Sequence, residues 1–182
     1  MNQSFAAPFN LQNWIQENRH LLKPPVGNQV VYKGNKDFMV MVVGGPNTRK
    51  DFHINNGEEL FYQLEGQIEL KVIIEDSEIT GTKAQSSIFL KAGDMFLLPP
   101  NIPHSPRRGP NTIGLVIERY RNPAEKDGFE WYCEKCENLL HHVEIPVSDI
   151  VTQLPVVMEQ FFSSENLKTC KKCGTLLERP QI

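Results

Sequence analysis

The chain has 182 residues, of which 40% are hydrophobic, enough for one main domain with a real core and a small appendage. Its formal net charge of −3 argues against a protein that binds nucleic acid by neutralising phosphates, because such domains are usually basic. There is no apolar run long enough to span a membrane and no secretory signal pattern at the N-terminus, so we expect a cytoplasmic protein.

The first predicted element is a helix within residues 11–22, LQNWIQENRHLL. Asn10 is a suitable N-cap, and Pro24 and Pro25 end the helix. The apolar residues near one face of this helix are Leu11, Trp14, Ile15 and Leu22. The segment that follows, PPVGNQ, is predicted to be a loop.

From Gln29 to Tyr120 the chain is predicted to form short β-strands. The runs that indicate strands are QVVY, DFMVMVV, ELFYQLEG, IELKVII, SSIFL, DMFLLP and TIGLVIERY. Turn signals such as KGNK, GGPN and KAGD separate most of them. Many short strands at this spacing predict an all-β sandwich or small barrel, whose interior can hold a single ligand site.

A polar segment after Tyr120, RNPAEKDG, is predicted to be a domain boundary. It divides the chain into a barrel with its N-terminal helix, residues 1–121, and a tail, residues 122–182. The tail contains a predicted helix, SDIVTQLPVVMEQFF, with Ser148 as its N-cap. Pro155 should kink this helix or stop it early.

All four cysteines of the chain lie in the tail: Cys133, Cys136, Cys170 and Cys173. Two C-x-x-C pairs separated by 33 residues indicate a tetrahedral four-thiolate site for iron or zinc, similar to that of a rubredoxin. The alternatives are four reduced structural cysteines or two C-x-x-C redox pairs. The chain lacks the βαβ context expected of such redox pairs, which disfavours the second alternative. A closed site leaves no position for chemistry, so its predicted role is to fasten the tail.

A second set of metal-binding residue types is formed by His53, Glu59 and His104. Two histidines and one carboxylate make the facial triad that leaves open coordination positions on Fe(II). If residues 51–65 form adjoining strands, the first two side chains face one another across the turn NNGE, and a third strand brings His104. The alternative is a hydrogen-bonded surface histidine beside a solvated turn.

These residues lie in a pattern that resembles the two motifs of the cupin superfamily. The first motif is matched by H-x-N-x3-E-x6-G over residues 53–66, and the second by Gly93, Pro99 and His104. Asn55 stands where the usual first motif has a second histidine. A metal held here would therefore have three protein ligands rather than four.

Two more departures occur in the second motif, where Asn101 replaces a glycine and Arg108 an asparagine. With these departures the chain resembles one cupin family, the 3-hydroxyanthranilate 3,4-dioxygenases. The stretches that carry the resemblance are NTRKDFHINNGEELFYQLEG, GDMFLLPPNIPHSPRR, GLVIERYR and the tail WYCEKC…CKKCG. A tail with two C-x-x-C pairs resembles the bacterial and fungal form of the family.

The resemblance implies an all-β cupin fold, a double-stranded β-helix or jelly-roll barrel, with a rubredoxin-like tail. It implies non-haem Fe(II) at His53, Glu59 and His104, and a second iron or zinc at the four cysteines. The implied reaction is extradiol-type cleavage of 3-hydroxyanthranilate by O2. The product, 2-amino-3-carboxymuconate semialdehyde, cyclises to quinolinate, a precursor of NAD.

The resemblance also gives roles to the side chains around the iron. It implies that Arg49 contacts O2, that Arg108 binds the substrate carboxylate, and that Glu118 accepts a hydrogen bond from the substrate amine or hydroxyl group. Glu59 is implied as a further substrate contact through its unligated oxygen. Asn28 is implied as a contact from the loop PPVGNQ, a segment that closes over the site.

The residue patterns alone leave other interpretations open at these positions. Arg107 and Arg108 could form a solvated basic turn, and we expect Arg107 to face solvent. Glu118 shares an apolar strand face and needs a partner, which could be Arg49 or Arg119 instead of a substrate.

Three rival functions also remain open. They are a non-enzymatic cupin that stores or senses a ligand, a zinc-ribbon interaction protein, and a cupin dioxygenase for another small substrate such as a thiol. The net negative charge and the lack of a basic stripe with aromatic residues both disfavour the zinc-ribbon interaction protein. Many cupins are dimers, so we expect a homodimer that binds neither nucleic acid nor membrane.

Overall fold

The computed structural model describes residues 7–24, 27–47, 49–75 and 83–180, with the backbone but not the side chain of Val151. The predicted helix stop at Pro25 lies outside the described residues. Within the ranges given, no helix combines the length and apolar character needed to cross a bilayer.

The described chain contains three α-helices, a short 3-10 turn and eleven strands. In chain order they are α1 (Leu11–Asn18), the 3-10 turn Arg19–Leu21, β1 (Asn28–Val30), β2 (Phe38–Gly44), β3 (Asp51–Ile54), β4 (Glu59–Glu65), β5 (Gln67–Glu75), β6 (Lys83–Lys91), β7 (Met95–Leu98), β8 (His104–Arg108), β9 (Ile113–Arg119), β10 (Asp127–Tyr132), β11 (Leu139–Ile145), α2 (Ile150–Phe162) and α3 (Glu165–Lys168).

The strands form two antiparallel sheets that face one another. The first has the order β1-β2-β9-β4-β7, and the second has the order β11-β10-β3-β8-β5-β6. From β2 to β5, and again from β6 to β10, each connection carries the chain from one sheet to the other. This is the jelly-roll barrel of the cupin fold, so the predicted all-β fold class is confirmed.

Alternating burial along the strands fills the barrel interior. On β4 the side chains of Glu59, Phe61 and Gln63 are buried, whereas Leu60 and Tyr62 are half-buried. Successive strand residues point to opposite faces, so the same alternation that buries Phe61 also carries Glu59 inward. The apolar part of the interior is a cluster of Met41, Val43, Phe61, Ile68, Leu70, Val72, Leu90, Leu98 and Val116.

The N-terminal helix packs against the first sheet, as its apolar pattern predicts. Ile15 and Leu22 form a buried cluster with Val42 of β2 and Ile113 of β9. Asn10 caps the helix, because its side-chain oxygen accepts a hydrogen bond of 3.0 Å from the backbone N–H of Asn13.

The tail adds two strands that were not predicted, β10 and β11, to the second sheet. β10 pairs with β3, so that Phe129 lies opposite His53. The domain boundary between residues 121 and 122 stays a prediction, and this pairing counts against it, because the sheet continues across it.

Helix α2 covers the outer part of that sheet. The rings of Trp131 and Phe161 stack with centroids 4.3 Å apart. The helix begins at Ile150, so Ser148 is one residue too early to cap it, and it continues through Pro155 to Phe162 without the early stop. Packing of its apolar face against β10 outweighs the local preference of the proline.

Candidate active site and second metal centre

The barrel interior brings together His53 from β3, Glu59 from β4 and His104 from β8. One potential ligand atom from each of the three buried side chains lies within 4.8 Å of the others. His53 and His104 are direct cross-strand partners in the second sheet. Glu59 comes from the first sheet, so the expectation of adjoining strands is wrong: β3 and β4 face one another across the interior.

The three side chains suit a divalent metal ion. Glu59 Oε2 lies 3.0 Å from His104 Nε2, while His104 Nδ1 donates to the carbonyl oxygen of Ile102 at 3.0 Å. Burial alone would raise the pKa of Glu59, but the two histidines and Arg121 outweigh it and lower the pKa to about 2. A buried, ionised carboxylate between two imidazoles is a ligand set for non-haem Fe(II) or a similar metal.

Asn55 occupies the position where other cupins have a second histidine. Its side-chain Nδ2 lies 3.2 Å from Glu59 Oε2 and 3.2 Å from Glu118 Oε2. The amide therefore holds two carboxylates in place and adds no imidazole to the centre.

A cavity of about 380 Å³ opens onto these residues. Its walls include every side chain predicted to bind iron, O2 or substrate: Asn28, Arg49, His53, Glu59, His104, Arg108 and Glu118. The apolar part of the wall includes Met41, Val43, Phe61 and Val116 of the barrel and Ile150, Leu154, Met158 and Phe162 of α2. An aromatic molecule with a few polar groups fits a cavity of this composition.

Arg108 is buried, so the solvated-turn interpretation is wrong for it. Burial lowers the pKa of its guanidinium to about 10, and no ion pair within the described residues involves it. Its Nη1 lies 3.5 Å from Gln63 Oε1. Gly114 leaves room for the guanidinium, because a Cβ added there would lie only 2.9 Å from the same nitrogen. Arg107, which was expected to face solvent, is half-buried.

Arg49 and Glu118, which also line the cavity, have protein partners. The Arg49 guanidinium pairs with the buried Asp51, with Nε 3.1 Å from Oδ1. Glu118 pairs with neither Arg49 nor Arg119 but with Arg121, whose Nη1 lies 2.8 Å from Glu118 Oε2. Burial and the nearby Glu59 carboxylate nevertheless raise the pKa of Glu118 to about 7.

Two interior residues were missed by sequence reasoning, Asp127 and Arg121. Both lie in RNPAEKDG, the polar segment interpreted as a domain boundary. Asp127 is fully buried and its Oδ2 lies 2.6 Å from His53 Nε2. The strand-like run FEWY, which follows Asp127, could have indicated a strand here, but it lay in the segment assigned to the tail rather than to the barrel.

The four cysteines lie together as predicted. All four sulfur atoms are within 4.8 Å of one another, with 3.5 Å between Cys133 and Cys173 and 3.6 Å between Cys136 and Cys170. These separations are far longer than a disulfide bond of about 2.05 Å. They are close to the edge of about 3.8 Å expected for four sulfurs at about 2.3 Å from one metal ion.

The two C-x-x-C turns have the same hydrogen bonds. The carbonyl oxygens of Cys133 and Cys170 each accept from the N–H four residues later, at 2.9 Å. The donors, Glu137 and Gly174, both have positive φ angles, 56° and 72°. Glycine adopts this left-handed conformation without steric cost, whereas the first turn places a glutamate in it.

Comparison with known proteins identifies relatives over nearly the whole chain. Residues 4–162 match the family described as 3-hydroxyanthranilic acid dioxygenase. A 3-hydroxyanthranilate 3,4-dioxygenase from Xanthomonas euvesicatoria is 47% identical over 96% of this chain and 94% of the relative. The enzymes of that name from Shewanella woodyi and Neurospora crassa are 49% and 44% identical over 95% of this chain, and over 88% and 91% of the relatives. A solved cupin-2 domain protein from Shewanella frigidimarina has a TM-score of 0.43 at 18% identity, covering 61% of this chain and all of that one.

Proposed function

The chain belongs to the 3-hydroxyanthranilic acid dioxygenase family, and from this we propose that its His53, Glu59 and His104 hold the iron of a ring-cleaving enzyme. The enzyme is an extradiol-type dioxygenase that acts on 3-hydroxyanthranilate and O2. It forms 2-amino-3-carboxymuconate semialdehyde, which cyclises to quinolinate for NAD biosynthesis. The family match disfavours a storage cupin, a thiol dioxygenase and a zinc-ribbon interaction protein.

The observation that carries the proposal is the meeting of two histidines and one glutamate, from three strands, on the wall of one cavity. Fe(II), when bound, supplies open coordination positions, Lewis acidity and redox chemistry with O2. The three side chains hold the metal, and the apolar cavity wall limits the access of water to it.

The charged wall residues orient the substrate in this proposal. Arg108, a buried guanidinium without an ion-pair partner among the described residues, binds the substrate carboxylate with two parallel hydrogen bonds. Glu118 and the free oxygen of Glu59 accept hydrogen bonds from the amine and hydroxyl groups. Arg49, held by Asp51, places a positive charge where negative charge develops on oxygen, and Asn28 contacts the substrate from β1.

Removal of the metal provides the direct test of the iron assignment. We expect chelated enzyme to lose turnover of 3-hydroxyanthranilate, and Fe(II), but not Zn(II), to restore it, because zinc has no redox chemistry to offer O2. The measurement is the absorbance of the semialdehyde product in air. Chelated enzyme that is free of iron and still forms the product at the original rate would overturn the assignment.

The carboxylate clamp is tested by Arg108→Gln. A hydrogen bond to a charged group contributes about 1.5–3 kcal/mol, so we expect KM for 3-hydroxyanthranilate to rise about 10–100-fold. The neighbouring Arg107→Gln, which does not line the cavity, serves as the matched control and should leave KM unchanged. With 2-aminophenol, which lacks the carboxylate, wild type and Arg108→Gln should converge; an equal difference for both substrates contradicts the clamp.

We propose a metal of structural function at the cysteine centre, iron or zinc. Thiolates in a tetrahedron suit both metals, and the colour distinguishes them, because a ferric four-thiolate centre is red and a zinc centre is colourless. Its contribution is to the folding of the tail rather than to turnover.

We also propose a homodimer, located in the cytoplasm. The edge strand β7 leaves Met95 and Leu97 more than half exposed, at 64% and 52%, and a partner subunit would cover such apolar side chains. Light scattering during size-exclusion chromatography measures the mass directly, and a mass of one chain at micromolar concentration contradicts the dimer.

A further inference from the structure

A chain of buried charges connects the proposed iron ligand His53 with the proposed substrate contact Glu118. His53 Nε2 lies 2.6 Å from Asp127 Oδ2. Asp127 accepts hydrogen bonds from Arg121, from Nε to Oδ1 at 2.9 Å and from Nη2 to Oδ2 at 2.6 Å. The third guanidinium nitrogen, Nη1, lies 2.8 Å from Glu118 Oε2.

The contact with Asp127 determines which nitrogen of His53 can face the metal. A carboxylate that receives two hydrogen bonds from an arginine is ionised and can only accept, so His53 Nε2 carries the hydrogen of their bond. Nδ1 is then left with a free electron pair for a metal. The ring of Phe129 stacks on the imidazole, with centroids 5.1 Å apart and an angle of 20°, and limits its rotation.

Arg121 joins this contact to the substrate side of the cavity. Its side chain is only 9% exposed and is shared between two carboxylates, Asp127 and Glu118, whose side chains are 1% and 3% exposed. Because a guanidinium is planar and its nitrogens are fixed relative to one another, a shift of one carboxylate is transmitted to the other. A lysine, with one ammonium group, cannot make both contacts in this geometry.

We propose that Asp127 and Arg121 are positioning residues that keep the iron ligand and the substrate contact in one fixed arrangement. Asp127 sets the tautomer and orientation of His53, and Arg121 holds both Asp127 and Glu118. This inference rests on the proposed function, since it takes His53 as a ligand and Glu118 as a substrate contact.

The test measures binding of Fe(II) to Asp127→Asn by anaerobic equilibrium dialysis, on full-length protein whose cysteine centre has been filled with zinc. Partners of metal-bound histidines typically change metal affinity about 10–100-fold, so we expect the Kd for Fe(II) to rise by that factor. The control is Glu125→Gln, which removes the ion pair of 2.6 Å with Arg119 in the same connection but does not reach His53. It should bind Fe(II) as wild type does.

Arg121→Lys provides a second variant, which decides the question if Asp127→Asn does not fold. We expect a smaller rise in the Kd for Fe(II) than in Asp127→Asn. KM for 3-hydroxyanthranilate should rise by a larger factor than kcat falls, because Glu118 loses the guanidinium that fixes its position. A role in folding alone would lower Tm and leave the Kd for Fe(II) and the KM for 3-hydroxyanthranilate of the folded enzyme unchanged.

The outcomes separate the inference from the proposed function. Folded Asp127→Asn with the Kd of wild type, or Arg121→Lys with both constants unchanged, overturns the positioning role. If wild type with zinc in its cysteine centre takes up no Fe(II), or His53→Ala takes up as much as wild type, the proposed iron centre fails, and the inference fails with it.

Discussion

His104→Ala should abolish turnover of 3-hydroxyanthranilate and reduce the metal content by one ion per chain. In the proposed centre the side chain supplies one of the three protein donors found within the described part of the chain, and Asn55, which stands in the position of a fourth, has no imidazole to replace it. Loss of a direct ligand should exceed the roughly 10–100-fold loss that follows the removal of a ligand's hydrogen-bond partner. Metal analysis and the absorbance of the semialdehyde measure the two effects.

The chain offers a matched control for this change in His142→Ala. His142 also lies beside a glutamate, with Nδ1 3.1 Å from Glu130 Oε1, but its side chain is 40% exposed and lies on β11, outside the cavity. It should keep wild-type activity and metal content. A His104→Ala enzyme that binds both metal ions and turns over would show that the centre is not the catalytic one.

The proposed metal-binding residues stand out in the sequence because histidine and glutamate side chains are unusual in strands that face a barrel interior. A buried histidine or carboxylate needs a partner, and the run from His53 to Glu59 contains both types in a strand-rich region. Their relation across the barrel could not be derived from spacing. Alternation along a strand predicts which side chains share a face, but not which strand lies beside it, since His53 pairs with a residue 51 positions away.

The positioning residues escaped prediction for a related reason. Arg121 and Asp127 lie in RNPAEKDG, whose composition is that of a polar linker. Strand β10 begins with Asp127 and Gly128, which have low strand propensity, and β8 contains Pro106, which cannot donate to a ladder. Pairing with β3 and β5 decides both strands, and single-sequence patterns contain no direct signal of such long-range partners.

The largest expected effect on stability comes from Cys170→Ser. Cys170 is 2% exposed and its sulfur belongs to the four-thiolate cluster, whereas a serine hydroxyl is a poor ligand for a thiolate-preferring metal. Structural zinc sites contribute up to about 10–16 kcal/mol to small domains, so a loss of several kcal/mol is expected here. In a domain of this size about 5 kcal/mol corresponds to roughly 10–20 °C in Tm.

Thermal unfolding followed by circular dichroism, together with metal analysis, measures this effect. Lys172→Ser is the matched control, because it introduces the same residue into the same turn at an exposed position that supplies no ligand. Its Tm and metal content should be those of wild type. Cys170→Ser with an unchanged Tm would mean that the cluster does not hold the tail.

The same variant separates a structural cysteine centre from a catalytic one. Strand β10 runs from Asp127 and Phe129, which contact His53, to Cys133 directly after its end, and helix α2 of the tail lines the cavity. Loosening of the cluster therefore reaches the active site through unfolding of these tail elements. Well below its lowered Tm, Cys170→Ser loaded with Fe(II) should therefore turn over at the wild-type initial rate and lose activity faster with time. An initial rate that falls at once, while the strand stays folded, would assign the cysteine centre a part in turnover.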